Sequence, residues 1–185
     1  MAMLEQRIQQ QFFESADLQY QAAELLARPI ADATAALLAA ITGGGKVMVC
    51  GSGAGAALAP HMARLFAGRF ERERPPLAAL ALAAGYGHDP AQQVRALGLP
   101  GDVLLFIDDG EGHSTAVISA AQAKDMTIVV LAGRGAQAYG ELLAETDVLV
   151  AVPHERAARV AEMQLLVLHC LCDAVDFQLM GDQAP

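Results

Sequence analysis

The sequence predicts a three-layer α/β/α domain built on a parallel sheet of about five strands. Five short apolar runs recur along the chain, and helix-compatible segments lie between most of them. Strands that are apolar throughout are typical of a parallel sheet that helices cover on both faces. Right-handed crossovers between such strands place the helices in two outer layers. We expect a single domain over residues 1–185.

The first 42 residues are predicted to form two helices. Apolar residues recur at near-helical spacing over residues 3–27, and a second helical pattern covers residues 31–41. Pro29 separates the two patterns, and consecutive glycines at 43–45 end the second. We expect these N-terminal helices to serve oligomerisation and the α/β core to occupy residues 43–185.

The core is predicted to end in one long helix. The strands are expected at 46–50, 77–82, 102–107, 126–131 and 147–152, with helical segments after the first strand and at 89–97, 114–123 and 136–144. Residues 155–180 then form a helix with apolar side chains around most of its girth. Such a helix needs partners on every side, so we expect it to build an oligomer interface with the N-terminal helix.

The composition favours self-association over a membrane. Hydrophobic residues make up 54% of the chain and charged residues 18%. The longest apolar runs, 77–85 and 165–172, are shorter than the about 20 residues that a membrane span needs. Obligate protein interfaces are the apolar kind, so a homo-oligomer accounts for this composition.

Charge and cysteine content predict a cytoplasmic protein that does not bind nucleic acid. The net charge is −9, whereas a nucleic-acid surface needs clustered Lys and Arg. No cationic segment precedes an apolar stretch at the N-terminus, so no secretion signal is predicted. Three cysteines without a CxxC motif indicate reduced thiols.

Two loops are expected at the carboxyl ends of strands, where parallel sheets bind ligands. Residues 51–55, a glycine-rich turn before a helix, either cradle an anion on backbone amides or serve only as a turn. The segment 108–114 carries three carboxylates in four residues, and each would oppose a phosphate at 4 Å by about 4 kcal/mol at an effective dielectric of 20. It is either a solvated acidic turn with Ser114 as N-cap or part of a different site.

A metal or small-ligand site of another kind is a further alternative. His88 and Asp89 would approach Asp108, Asp109 and His113 if their loops share one end of the sheet. Histidines and carboxylates at loose spacing are common by chance. Two solvated loops therefore explain this pattern better, and neither a metal nor a cofactor is predicted.

Several segments resemble the sugar isomerase (SIS) family, which contains the phosphoheptose isomerases and the DnaA initiator-associating protein DiaA. The matching residues are 51–53 with His61, 70–75, 93–98 with 101–103, 125–129, and on the last helix 156–159, 162–163 and 170–173. The Cys-Leu-Cys-Asp ending at 170–173 looks closest to DiaA. The resemblance covers nearly the whole chain and implies a flavodoxin-like sheet and a homotetramer.

The resemblance also implies that part of the isomerase chemistry is missing. Isomerases of the family use a glutamate one turn after the histidine that matches His61, and a histidine that matches His169. A metal, where present, uses these groups and a glutamine on the last helix. In this chain the glutamate position is Leu65 and the glutamine position is Ala161, so His61 and His169 remain without them. Loss of an acid–base group typically costs ~10²–10⁴ in rate.

The phosphate side of the family site is altered as well. A serine of the first glycine turn is Gly55 here, and residues 108–113 replace a longer serine- and threonine-rich loop. The segment 83–90 is also shorter than in the relatives. The surviving phosphosugar-binding candidates are Gly51, Ser52, Gly53 and Ser114.

These observations lead to two hypotheses. The first is a non-catalytic, homotetrameric SIS protein that resembles DiaA and binds the replication initiator DnaA. The alternative is a phosphoheptose isomerase, acting on sedoheptulose 7-phosphate, or a phosphosugar-binding protein with a rearranged site. The missing base at Leu65 favours the first, although it leaves enzyme activity open.

Overall fold

The computed structural model describes residues 1–83, 89–110 and 115–182. Five strands alternate with helices along the chain. In order, the elements are α1 Ala2–Thr42, β1 Val47–Gly51, α2 Gly53–Ala67, β2 Ala79–Ala81, α3 Pro90–Leu97, β3 Val103–Ile107, α4 Thr115–Gln122, β4 Thr127–Ala132, a 3-10 helix Ala136–Tyr139, β5 Val148–Ala151 and α5 Ala157–Met180.

The strands form one parallel sheet in the order β2-β1-β3-β4-β5. The order reverses direction between β1 and β3, which creates the switch point where open α/β sheets bind ligands. Gly51 at the end of β1 pairs with Ile107 at the end of β3. This register brings the glycine turn after β1 and the acidic segment after β3 side by side.

Helices cover both faces of the sheet, as the apolar strands predict. Successive strand residues point to opposite faces, so Val47 and Val49 join one core cluster while Met48 and Cys50 join the other. The first cluster is formed with α1, α2 and α5, and the second with α3, α4 and the 3-10 helix. The predicted five-stranded, three-layer fold is therefore confirmed.

The N-terminal segment is one continuous helix, so the break predicted at Pro29 does not occur. Pro29 lies inside α1, which runs from Ala2 to Thr42. Proline removes a helical hydrogen bond and costs about 3 kcal/mol inside a helix. Buried residues on both sides of the proline, including Leu26, Ala33 and Leu37, pack into the core and offset this cost.

By length and composition α1 is apolar enough to cross a membrane. A core helix of a globular protein meets the same criterion, and 28% of the apolar window of α1 is buried inside the protein. Ala33 and Leu37 of α1 are fully buried against the sheet side of the molecule, which accounts for their apolar character.

The helix predicted over 136–144 is shorter than expected. Only Ala136–Tyr139 is helical, as a 3-10 turn that ends at Gly140. The Leu142 and Leu143 amides both donate to the Tyr139 carbonyl, and these bonds turn the chain toward β5.

Candidate active site

The glycine turn after β1 meets a carboxylate from the loop after β3. Asp109 Oδ2 accepts the backbone N–H of Ala54, in the first turn of α2, at 3.1 Å. Ser52 Oγ lies 2.8 Å from Asp108 Oδ1 and 3.1 Å from Asp109 Oδ1. The Asp109 side chain therefore holds the position at the α2 N-terminus that suits an anion.

The close approach of this carboxylate explains why glycine is needed in the turn. Gly53 has a φ of +44°, and a Cβ built there would lie 1.6 Å from Asp109 Oδ2. A Cβ at Gly55 would lie 2.2 Å from the Ile107 carbonyl oxygen. Any side chain at either position would push the two loops apart.

The interpretation of residues 108–110 as a solvated turn is wrong, because both carboxylates are buried. Asp108 is 0% exposed and Asp109 is 9% exposed. Asp108 accepts hydrogen bonds from the Tyr139 hydroxyl at 2.8 Å and the Gly110 amide at 3.1 Å. Burial and the neighbouring Asp108 raise the pKa of Tyr139, which stays protonated and donates. The Ser52 hydroxyl, the Gly110 amide and the Tyr139 hydroxyl thus all donate to the Asp108 carboxylate.

Two members of this network were not predicted from the sequence. Tyr139 reaches the loop from the 3-10 helix, and Gln164 reaches it from α5. The Gln164 amide group donates to the carbonyl oxygens of Asp108 at 2.6 Å and of Leu131 at 3.2 Å. Neither residue belongs to a recognisable motif, since each acts only through contacts distant in sequence.

The two candidate histidines come together between α2 and α5. The Nε2 atoms of His61 and His169 lie 3.1 Å apart, and the ring centroids are 5.4 Å apart. At this distance one imidazole must donate a proton to the other, so the two rings share one proton. Burial, then the neighbouring His169, then the Arg64 charge lower the pKa of His61.

The surroundings of the pair combine an aromatic ring and a cation. Phe70 packs against the His169 ring with centroids 5.4 Å apart. Arg64 Nη2 lies 3.5 Å from His61 Nδ1. His61 lies eight residues after Gly53 on α2, about 12 Å along the helix axis at 1.5 Å per residue. The glycine turn and the histidine pair are thus at separate points of one helix.

The residues around the pair do not fit the metal that the family resemblance implies. Leu65, one turn after His61, is buried in the core, and Ala161 lies two turns before His169. Across residues 1–83, 89–110 and 115–182, no group of three His, Cys, Asp or Glu side chains is arranged to hold a metal ion. Two imidazoles alone fall short of the donors that zinc takes from a protein.

Other predicted site residues lie outside the described residues. These are Ser114, His88, Glu111 and His113. Asp89 is described, and its carboxylate accepts the Ala91 amide at 2.9 Å as the N-cap of α3. The proposed convergence of these loops on a metal or small ligand stays a prediction.

Comparison with known proteins assigns the family. The profile described as SIS domain matches residues 11–133. A phosphoheptose isomerase of Methylibium petroleiphilum is 54% identical over 99% of this chain and 98% of its own length. A phosphoheptose isomerase of an Azoarcus species is 45% identical over 95% of this chain and 96% of its own.

Two solved structures share the fold over almost the whole chain. A phosphoheptose isomerase from Neisseria gonorrhoeae has a TM-score of 0.82 at 34% identity, covering 94% of this chain and 98% of the other. One from Francisella tularensis has a TM-score of 0.85 at 30% identity, covering 95% and 99%.

These comparisons correct the first functional hypothesis. The relatives that match along nearly their full length are named phosphoheptose isomerases, so the hypothesis of a non-catalytic regulator that binds DnaA is wrong. They favour the alternative of a phosphoheptose isomerase or phosphosugar-binding protein. A special closeness to DiaA is not shown, whereas the wider resemblance is confirmed. The profile match and the near-full-length identities show that the chain belongs to the SIS domain family.

Proposed function

We propose that this protein isomerises a sugar phosphate, with sedoheptulose 7-phosphate as substrate, and that His61 and His169 carry the proton transfers. The observation that supports this most is the 3.1 Å contact between their Nε2 atoms. The names of the relatives supply the substrate class.

The chemistry needs a base and an acid at adjacent carbons. In a ketose with its carbonyl at C2, a base takes a proton from C1, and an acid protonates the carbonyl oxygen to give an enediol. Return of a proton to C2 and loss of the C1 hydroxyl proton then give the aldose. No electrons leave the sugar, so positioned proton carriers suffice.

The histidine pair can supply both functions. The N–H of one ring points at the lone pair of the other, so the sugar would have to enter between the rings, where one nitrogen takes the C1 proton and the N–H of the other donates to the carbonyl oxygen. Because the pKa of His61 is lowered, this ring is neutral at pH 7 and available as a base. His169 would then act as the acid.

We place the substrate phosphate at the glycine turn. Gly51 and Ser52 precede α2 and Gly53 is its first residue, while the amide of Ala54 already binds a carboxylate. The phosphate would have to displace Asp109, whose negative charge would otherwise oppose it by about 4 kcal/mol at 4 Å. Ser114 is the proposed additional hydroxyl. We therefore expect weak binding of the phosphate.

We expect slow turnover as well. Leu65 stands where the resemblance implies a glutamate base, and its side chain can neither accept nor release a proton. A missing acid–base group lowers the rate by ~10²–10⁴.

We propose that the protein works as a homo-oligomer, with a tetramer as the preferred state. An apolar cavity of about 620 Å³ lies between α1 and α5 and is lined by Ala23, Leu26, Ile30, Met163 and Leu166 among others. Leu25 and Phe177 add exposed apolar surface on the same two helices. A second copy of the chain would cover this surface. A cytoplasmic location stays a prediction.

The test is conversion of sedoheptulose 7-phosphate to its aldose isomers by the purified oligomer, with a His61→Gln/His169→Gln variant beside it. We expect slow conversion, which the double variant lowers by a further ~10²–10⁴. His154→Gln is the matched control, because His154 contacts Glu14 rather than the pair. Conversion at the wild-type rate in the double variant would contradict the proposed role of the histidines.

A further inference from the structure

A single buried arginine joins the two helices that carry the histidine pair. The Arg74 side chain is 1% exposed, and its Nε donates to Asp176 Oδ1 on α5 at 2.5 Å. Its Nη2 donates to the Leu65 carbonyl oxygen at 2.9 Å, and its Nη1 donates to that of Phe66 at 2.9 Å. Both carbonyls belong to the last turn of α2.

The contacts along the α2–α5 interface follow one line. His61 meets His169 first, then Met62 Sδ meets Cys172 Sγ at 3.6 Å, and the Arg74 bridge follows. Leu65 lies one turn after His61, and Asp176 lies about two turns after His169. Arg74 therefore fixes the separation of the helices directly beyond the histidine pair.

The segment that carries Arg74 also contacts the pair. Phe70 packs against the His169 ring, and it lies four residues before Arg74. Arg74 Nη1 donates to the carbonyl oxygens of Gly68 at 3.1 Å and Pro75 at 3.2 Å, on either side of Phe70. The Arg74 guanidinium thus holds the segment after α2 against the end of that helix and keeps Phe70 in place.

We propose that Arg74 is a positioning residue that holds His61 and His169 at proton-transfer distance. It acts through α2, α5 and Phe70, and it contacts neither imidazole. The inference rests on the proposed function, because the pair is the proton-transfer group in that proposal.

Arginine suits this task for reasons of geometry. The guanidinium is always charged and presents five N–H donors in a rigid plane, and here it serves one carboxylate and four carbonyl oxygens. A lysine offers three donors on a flexible stem. Replacing a buried ion pair by apolar residues is often neutral for stability. We therefore assign the Arg74–Asp176 pair to the arrangement of α2 and α5 rather than to stability.

The test uses Arg74→Met/Asp176→Leu, which removes both charges together and avoids an uncompensated buried charge. One readout is the downfield ¹H NMR signal of the proton shared by the imidazoles, assigned by its loss in His61→Gln. The other is the split between kcat and KM with sedoheptulose 7-phosphate. We expect the folded variant to lose the shared-proton signal. We expect its kcat to fall at least tenfold and its KM to change less than threefold.

The matched control is Lys46→Met/Asp102→Asn. It breaks another ion pair of low exposure, with Nζ and Oδ2 2.5 Å apart at the amino ends of β1 and β3. We expect this control to lose stability and to keep the shared-proton signal. A folded Arg74→Met/Asp176→Leu variant that keeps the signal and kcat would overturn the proposal and leave Arg74 as a C-terminal cap of α2.

Arg74→Lys is the second variant, should the double variant fail to fold. It keeps the charge for Asp176 but cannot reach all four carbonyl oxygens, so we expect a weaker shared-proton signal and a lower kcat. A wild-type signal in folded Arg74→Lys would also overturn the proposal. If the wild-type protein fails to convert the sugar, the proposed function fails, while the NMR readout still decides whether Arg74 positions the pair.

Discussion

The Nε2 atoms of His61 and His169 lie 3.1 Å apart, although 108 residues separate the two histidines in the chain. Only the packing of α2 against α5 creates this contact. The proposed proton transfers depend on this contact.

The two histidines are expected to act as a unit. His61→Gln, His169→Gln and the double variant should each lower kcat by ~10²–10⁴, because removing either ring leaves the other without its proton partner. Steady-state kinetics with sedoheptulose 7-phosphate measure this. Losses that multiply in the double variant would mean that the two rings work independently.

Leu65→Glu is expected to raise kcat, by roughly tenfold or more, because it adds a carboxylate base one turn from His61. Leu65 is 6% exposed, so the variant should also unfold at a lower temperature through burial of a charge. Leu65→Gln is the matched control, because glutamine has nearly the same shape as glutamate and a polar amide group, but it cannot act as a base. Equal rates in the two variants would count against a missing base as the cause of slow turnover.

Asp109→Ser is expected to tighten binding of the sugar phosphate at least tenfold. It removes a buried negative charge and frees the Ala54 amide that Asp109 Oδ2 now occupies. Isothermal titration calorimetry with sedoheptulose 7-phosphate measures the dissociation constant. Asp182→Asn, a change of the same charge at an exposed position, serves as control. Unchanged affinity in Asp109→Ser would place the phosphate elsewhere.

The free energy of unfolding should decrease at acidic pH because of His61. Burial, His169 and Arg64 lower its pKa in the folded protein, whereas the unfolded chain has the ordinary value of about 6.5. Below about pH 6.5 the unfolded chain therefore binds more protons than the folded one, and the free energy of unfolding decreases as the pH decreases through that window. Urea unfolding between about pH 5 and pH 8 checks this. His61→Gln should reduce the slope, and an identical slope in His61→Gln would contradict the assignment.

Sequence patterns predict the sheet well, because each strand carries its own signal. Residues 103–107 are apolar throughout and become fully covered β3, in the position that the pattern indicates. The prediction of a helix break at Pro29 is wrong because it rests on local propensity, whereas tertiary packing keeps α1 continuous. Helix boundaries depend on such non-local contacts and are harder to predict.

The site is predicted less completely, because its contacts join residues distant in sequence. His61 and His169 are identified through the family resemblance, yet nothing local shows that their rings touch. Asp109 is visible as an acidic residue, but its place at the Ala54 amide follows from the Gly51–Ile107 register. Arg74 stands in a run of alternating charges and gives no sign that it is buried beside Asp176.

The most direct test of the central claim is exchange of the C1 proton of sedoheptulose 7-phosphate in D₂O, followed by ¹H NMR with the purified wild-type protein. Proton removal is the first chemical step, so exchange reports the base even when overall turnover is slow. We predict exchange that is faster than in buffer alone and that disappears in His61→Gln/His169→Gln. No exchange with the wild-type protein at millimolar sugar would contradict isomerase chemistry at the histidine pair.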